Sequence, residues 1–294
     1  MSDRLQGCGT ALVTPFRKDG AVDETALRKL VDWQIAEGID FLVPCGSTGE
    51  AATMTPAEHR RVVEITVEQA KGRVAIVAGA GSNDTAKAVS FSREMKSAGA
   101  THLLHVSPMY NKPPQRGIIA HFERVADATD LPIIVYNVPG RTGSNIEAKT
   151  TLALARLKHV VAVKEASGNL GQITDILRER PDHFSVLSGD DEMTLAVMAA
   201  GGDGIISVIS NATPKKMTQL CAAAAKGDYD SARTLHLQLL PWMRAAFVES
   251  NPLPVKAALA MLGKIDNNLR LPLVPLDEKH ADGVRSALKT AGAL

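Results

Sequence analysis

The run Val160-Val161-Ala162-Val163-Lys164, followed at once by Glu165-Ala166-Ser167-Gly168-Asn169, decides the fold. Four small or β-branched apolar residues in a row predict a strand buried on both faces, as in parallel sheets. An ammonium at the end of such a strand is costly to desolvate, so burial pushes the lysine towards the neutral amine. A neutral, immobilised amine is what carbonyl chemistry through a Schiff base requires. An arbitrary strand-end lysine more often just ends the strand in water, so the rest of the chain has to decide between the two.

Comparable apolar runs recur at residues 10–13, 41–44, 74–78, 102–106, 133–136, 185–188 and 204–208. Between them lie helical patterns with readable punctuation. Thr55 predicts an N-cap, with Pro56 at the first helical position and Glu58 closing a capping box. Leu27, Leu30, Val31 and Ile35 follow the apolar spacing of a helix. Gly38, Gly72 and Gly99 stand where glycines end helices. The runs are spaced by about 30 residues, the length of one βα unit. Eight such units in series predict an α/β fold, a (β/α)8 TIM barrel. A doubly wound open sheet is the alternative, but it needs a glycine fingerprint after the first strand. Here that strand is followed by Thr14-Pro15-Phe16. Beyond the eighth run, helical patterns at 229–247, 253–262 and 281–288 predict a C-terminal extension. The expected organisation is a catalytic barrel over residues 1–223, with a helical extension over 224–294 packed on it.

The chain has 294 residues, 45% of them hydrophobic, enough apolar material for one large domain. Lys and Arg (33) balance Asp and Glu (32) without a long charge run, which argues against nucleic-acid and membrane-surface partners. Cys8, Cys45 and Cys221 are far apart and lack C-x-x-C spacing, so neither a zinc site nor a disulfide framework is expected. The eight histidines show no helical metal-ligand spacing, so no metal is expected. Met1-Ser2-Asp3-Arg4 has no apolar signal core, and no apolar stretch reaches membrane-spanning length. The expectation is a soluble cytoplasmic protein.

Chemistry in a barrel of this type sits at the carboxyl ends of the strands. The second run is followed by Gly46-Ser47-Thr48-Gly49-Glu50, a tight loop able to cradle a carboxylate or phosphate. Ser107-Pro108-Met109-Tyr110-Asn111 follows the fourth, and the fifth ends in Tyr136-Asn137-Val138-Pro139-Gly140-Arg141. The sixth ends in Lys164 and the seventh in Ser188-Gly189-Asp190-Asp191. Two of the three tyrosines stand in Tyr-Asn dipeptides at these ends, which favours an active-site lysine over a solvated one. Each element also has a plainer reading. The Gly46–Glu50 loop is a common kind of turn before a helix, Tyr136 suits a core, and Arg141 suits a surface loop. Asp190 is read as the N-cap of the next helix rather than a catalytic acid.

The loop 46–50, the segment Tyr136-Asn137-Val138-Pro139-Gly140-Arg141-Thr142-Gly143 and the strand end Val163-Lys164-Glu165-Ala166-Ser167-Gly168-Asn169 resemble the pyruvate-dependent class I aldolase and lyase family. Within it, the chain is most similar to the dihydrodipicolinate synthases. The likeness runs from Gly9-Thr10-Ala11 to Leu269-Arg270-Leu271-Pro272-Leu273 and includes the segment from Phe247 to Lys256. The resemblance implies a (β/α)8 barrel in a homotetramer of two tight dimers. It implies condensation of pyruvate with L-aspartate 4-semialdehyde to 4-hydroxy-tetrahydrodipicolinate, in the diaminopimelate route to lysine. Lys164 would form the imine, and Thr48, Tyr136 and Tyr110 would relay protons, with Tyr110 entering from the neighbouring subunit. Ser47 and Thr48 would hold the pyruvate carboxylate, and Arg141 the carboxylate of the semialdehyde. Gly189 and Ile206 would line the pocket through their backbones. No organic cofactor is implied, because the lysine itself is the electron sink.

Three competing readings remain at this level: a sister enzyme cleaving sialic acid or sugar-derived keto acids, a pyridoxal-phosphate barrel enzyme, and a non-catalytic pyruvate-binding regulator. One departure stands out. Lysine-inhibited members of the family contact their effector with an acidic residue and a tyrosine, where this chain has Lys87 and Met109. Pro56 replaces a histidine of that pattern, while His59 and Asn83 are retained. The expected enzyme is therefore one that lysine does not inhibit.

Overall fold

In the computed structural model, which describes residues 4–294, the apolar runs form the staves of a barrel. Met1, Ser2 and Asp3 of the polar N-terminal stretch lie outside the described residues. The strands are β1 (Gly7–Ala11), β2 (Phe41–Val43), β3 (Ala75–Gly79), β4 (His102–Val106), β5 (Ile133–Asn137), β6 (Val160–Glu165), β7 (Ser185–Ser188) and β8 (Gly204–Ser207). Each pairs in parallel with the next and β8 closes on β1, so the open sheet is excluded and the TIM barrel stands.

The first strand begins three residues earlier than the run at 10–13 predicts. Gly7 and Gly9 hide it, because they interrupt the apolar pattern. Gly9 is required by packing, since a Cβ there would lie 2.0 Å from Cε2 of Phe41. The barrel interior is filled by side chains such as Phe41, Val77, Ile134, Leu187 and Ile206. It is a packed plug rather than a pore, which leaves only the mouth for a ligand.

One irregularity sets the register of the mouth. Between β5 and β6 the pairing steps from Ile133↔Val160 to Ile134↔Ala162, leaving Val161 as an extra residue. Val160 and Val163 pack outward, whereas both Val161 and Ala162 turn towards the interior. Because side chains alternate along a strand, this bulge shifts everything after it by one place. Tyr136 consequently lies opposite Lys164, and Asn137 opposite Glu165.

The capping box at Thr55 and the three helix-ending glycines are as the sequence predicts. Thr55 Oγ1 accepts from the Glu58 N–H, and Glu58 accepts in return from the Thr55 N–H, a complete capping box for Pro56–Ala70. Gly38, Gly72 and Gly99 follow Glu24–Ala36, Pro56–Ala70 and Thr85–Ser97 with φ of +90°, +70° and +90°. After the helix Pro214–Ala225, the chain adds Tyr229–Ala245, Leu253–Met261 and Glu278–Thr290, the three patterns expected of the extension. Among the described residues no helix is long and apolar enough to cross a membrane.

The extension is fastened to the barrel mouth. Lys256 Nζ lies 2.5 Å from Glu50 Oε1, with both side chains fully buried. Lys256 also donates to the Asn268 carbonyl at 2.7 Å, and the Arg270 N–H donates to Glu50 Oε2 at 3.2 Å. The Arg270 guanidinium grips Glu58 at 2.5 Å. A buried pair of this kind adds little net stability, but removing one partner strands a charge. Lys256→Met should therefore lower the unfolding free energy by about 3–5 kcal/mol in urea titrations. Glu50→Gln made together with it should recover most of the loss. A single variant as stable as the parent would show that the pair is not desolvated.

Candidate active site

The register of β5 and β6 sorts four polar residues onto two faces. Tyr136 and Lys164 point into the mouth, and Lys164 Nζ lies 4.2 Å from the centroid of the Tyr136 ring. Asn137 and Glu165 point outward, where Glu165 is buried with no salt-bridge partner among the described residues. Its carboxylate accepts from Asn137 Nδ2 at 3.0 and 3.1 Å, the Ser167 N–H at 2.8 Å and Gln172 Nε2 at 3.1 Å. The asparagine of this Tyr-Asn dipeptide thus braces β5 against β6 from behind the reactive pair.

Lys164 is 5% exposed. Desolvation pulls its amine down to about 7; Asp191 opposes this and Arg141 reinforces it. Burial pushes the Tyr136 phenol up to about 12, against the pull of Arg141, so the phenol stays protonated at neutral pH. An amine titrating near neutral pH therefore sits over the ring of a protonated phenol. Gly189 makes room for it, since a Cβ there would lie 2.7 Å from Ala166 Cβ and 3.0 Å from Lys164 Cγ.

Asp190 does not cap the next helix. Its Oδ1 accepts from the Glu192 N–H in a turn, and Thr194–Ala199 starts without a side-chain cap. The turn arises because Asp191 is drawn inward to β8. Asp191 accepts from Ser207 Oγ at 2.5 Å and from the N–H groups of Val208 and Ile209 at 3.0 and 3.2 Å. Burial raises this carboxyl to about 6, with the hydrogen bonds opposing.

The loop after β2 is held in a strained form, with Cys45 and Glu50 at φ of +57° and +56°. Its inner bonds are Gly49 N–H to the Gly46 carbonyl and Glu50 N–H to the Ser47 carbonyl. The N–H groups of Ser47 and Thr48 have no protein partner among the described residues. Both residues line the cavity, so two unspent donors can meet an anion there. Thr48 is buried, and its Oγ1 accepts from Asn251 Nδ2 at 2.8 Å. Arg141 Nη2 donates to the Asn251 carbonyl at 3.1 Å.

These groups enclose a cavity of about 180 Å³ lined by Ser47, Thr48, Tyr136, Arg141, Lys164 and Gly189, among others. It shares Ser47, Tyr136, Arg141 and Asn251 with a larger hollow of about 630 Å³ that reaches His59, Phe91 and Met109. Ile206 and Tyr110 are not among the residues lining this cavity. The Ile206 side chain is fully buried in the barrel plug, and Val208, two residues on, lines the cavity. Tyr110 is 89% exposed and projects from the surface, on a loop pinned by its N–H to the Thr142 carbonyl and by Asn111 to the Asn83 carbonyl. Asn251 and Asp191 carry contacts that the local sequence does not announce, because their partners lie far away along the chain.

At pH 7 an ordinary lysine is neutral in roughly one molecule in 2,500. A lysine at about 7 is neutral in half. Competitive labelling with a trace of acetic anhydride, read peptide by peptide against pH, should give Lys164 a midpoint near 7 while exposed lysines titrate in the ordinary range. A Lys164 midpoint in that ordinary range would mean the amine is solvated.

The dihydrodipicolinate synthetase family matches residues 4–291. The chain is 51% identical over 292 residues to the 4-hydroxy-tetrahydrodipicolinate synthase of Koribacter versatilis (strain Ellin345), covering 99% of this chain and 97% of that one. The chloride-inhibited dihydrodipicolinate synthase from Acinetobacter baumannii, solved in complex with pyruvate, superposes with a TM-score of 0.97 at 42% identity, over 98% and 99% of the two chains. The dihydrodipicolinate synthase from Cyanidioschyzon merolae, solved with lysine bound, gives 0.96 at 38% identity, again over 98% and 99%. The resemblance carried by the three motifs extends over nearly the whole chain, and the protein belongs to the dihydrodipicolinate synthetase family.

Proposed function

We propose that the protein is a lyase of the class I aldolase type, condensing pyruvate with L-aspartate 4-semialdehyde to 4-hydroxy-tetrahydrodipicolinate in the diaminopimelate route to lysine. The observation that carries this reading is the desolvated Lys164 amine beside the protonated Tyr136 phenol, in a small cavity with anion-binding groups. The relative from Acinetobacter baumannii described in complex with pyruvate supports the choice of keto acid.

The neutral amine of Lys164 adds to the pyruvate carbonyl, and loss of water gives the imine. Ser47 and Thr48 hold the pyruvate carboxylate through their free N–H groups. The imine makes the adjacent methyl acidic; a proton leaves, and the resulting enamine carbon attacks the aldehyde. The semialdehyde's own amino group then displaces Lys164, which closes the ring and frees the enzyme. Tyr136 moves protons at the amine and at the new hydroxyl, in relay with Thr48 and a Tyr110 from the neighbouring subunit. The exposure of Tyr110, with φ of +72° on a pinned loop, fits a side chain built to reach across a tight dimer within a homotetramer. Subunits carrying Tyr110→Phe and subunits carrying Lys164→Ala, each inactive alone, should regain activity on exchange. No rescue despite proven exchange would count against the shared site.

Arg141 at the cavity wall favours a second small carboxylate over a polyol, because a guanidinium matches a carboxylate in a fork. A coupled assay should show turnover with pyruvate and aspartate semialdehyde, and none with sialic acid. Arg141→Ala should cost about 2–5 kcal/mol in the use of the semialdehyde while pyruvate imine formation persists. Equal damage to both steps would make Arg141 structural.

The reading extends to regulation. Lys87 is exposed on the helix Thr85–Ser97, and Met109 lines the outer hollow with His59. A cationic effector would meet a cation where it needs an acceptor, and a thioether where it needs a phenol. Activity should hold constant as L-lysine is titrated through the millimolar range; strong inhibition below that range would contradict this assignment.

A further inference from the structure

We infer that Asn251, on the C-terminal extension, is a positioning residue of the condensation: its side-chain amide turns the Thr48 hydroxyl into a donor towards the cavity, while its main-chain carbonyl aims Arg141. The inference rests on the function proposed above and adds a residue to its machinery.

A threonine hydroxyl has one hydrogen and two lone pairs, and what its neighbours donate decides where the hydrogen goes. Asn251 Nδ2 donates to Thr48 Oγ1 at 2.8 Å, with Asn251 5% and Thr48 3% exposed. The amide occupies an acceptor site of the hydroxyl, so the Thr48 hydrogen is left for another acceptor. Thr48 lines the cavity together with Tyr136, so that acceptor is a substrate bound there. The same residue accepts from Arg141 Nη2 at 3.1 Å through its carbonyl. One residue thus touches both the loop assigned to pyruvate and the arginine assigned to the semialdehyde. Its remaining acceptor, Oδ1, is buried without a partner among the described residues.

Asn251 can hold these groups only if it is itself fixed, and two contacts of the same segment do this. Lys256 pairs with Glu50 at 2.5 Å, and Glu50 lies two residues beyond Thr48 in the loop that Asn251 grips. Arg270 adds its N–H to the other oxygen of Glu50. The extension and the loop are therefore joined by a charged pair on one side of Thr48 and by the Asn251 amide on Thr48 itself. Loss of the amide leaves the loop anchored but frees the hydroxyl to rotate.

Asn251→Asp keeps the shape and reverses the polarity, because a carboxylate only accepts and draws the Thr48 hydrogen away from the cavity. Asn251→Ala removes the partner. Full-length wild type, Asn251→Asp, Asn251→Ala, Thr48→Val and the Thr48→Val/Asn251→Ala double variant would be compared. The readouts are thermal unfolding, borohydride trapping of pyruvate, and kcat and KM across pH. Both Asn251 variants should still trap pyruvate, and their kcat should fall by about 10²-fold, the cost of a misplaced catalytic contact. The kcat of Asn251→Asp relative to Asn251→Ala should rise as the pH falls, because a protonated carboxyl donates as the amide does. The double variant should lose no more than Thr48→Val alone. Wild-type kcat in the Asn251 variants, a pH-independent ratio, or additive losses would overturn the inference. If Asn251→Asp fails to fold, the cycle with Asn251→Ala decides. A wild type that neither traps pyruvate nor condenses it would instead sink the functional reading itself.

Discussion

The structure turns on one desolvated amine. Lys164 lies next to the end of a strand whose other residues face a packed plug or the surrounding helices, so its ammonium has lost most of its water without gaining a contact ion pair among the described residues. Several features serve to keep it there. The bulge at Val161 turns Lys164 inward to face Tyr136. The absence of a Cβ at Gly189 leaves space for the lysine stem. Behind the strand, neutral amides hold Glu165 in place, so this buried carboxylate is satisfied by hydrogen bonds and not by Lys164. Asp191 alone among the causes of the shift opposes it, and its own charge is spent on Ser207 and two backbone N–H groups.

Around this centre the backbone carries strain. Four of the six non-glycine residues with positive φ among those described, Cys45, Glu50, Tyr110 and Lys112, lie in the loops after β2 and β4. Such conformations cost of order 1–3 kcal/mol each and persist only where the surroundings over-determine them. Here the surroundings are distant in sequence: Lys256 and Arg270 fix Glu50, and Thr142 and Asn83 hold the loop of Tyr110. The barrel supplies the reactive pair, and the extension holds the loop that faces it.

The barrel was legible in the sequence because each strand is a local pattern, bounded by helices with caps such as Thr55 and Glu58. The exception, the start of β1, was lost where Gly7 and Gly9 serve packing instead of apolarity. Lys164, Tyr136, Arg141, Ser47, Thr48 and Gly189 were legible because a parallel barrel sends every strand end to one rim, and the structure gathers them around one cavity. Asn251 and Lys256 were not legible as partners of that rim, since each meets a group some 200 residues away through folding alone. The bulge was hidden for a different reason: Val161 is as apolar as its neighbours, and only the pairing of β5 with β6 shows that it is the extra residue. Asp190 misled because an acidic residue before a helix usually caps it, whereas here its neighbour Asp191 is pulled towards β8.

The central claim is that this buried amine is the nucleophile towards a keto acid. Borohydride reduction of the native protein with pyruvate, followed by peptide mapping, tests it most directly. One carboxyethyl group per chain, on the peptide containing Lys164 and dependent on pyruvate, is the predicted result. Modification of another lysine, or a chain left unmodified while pyruvate is present in excess, would contradict it.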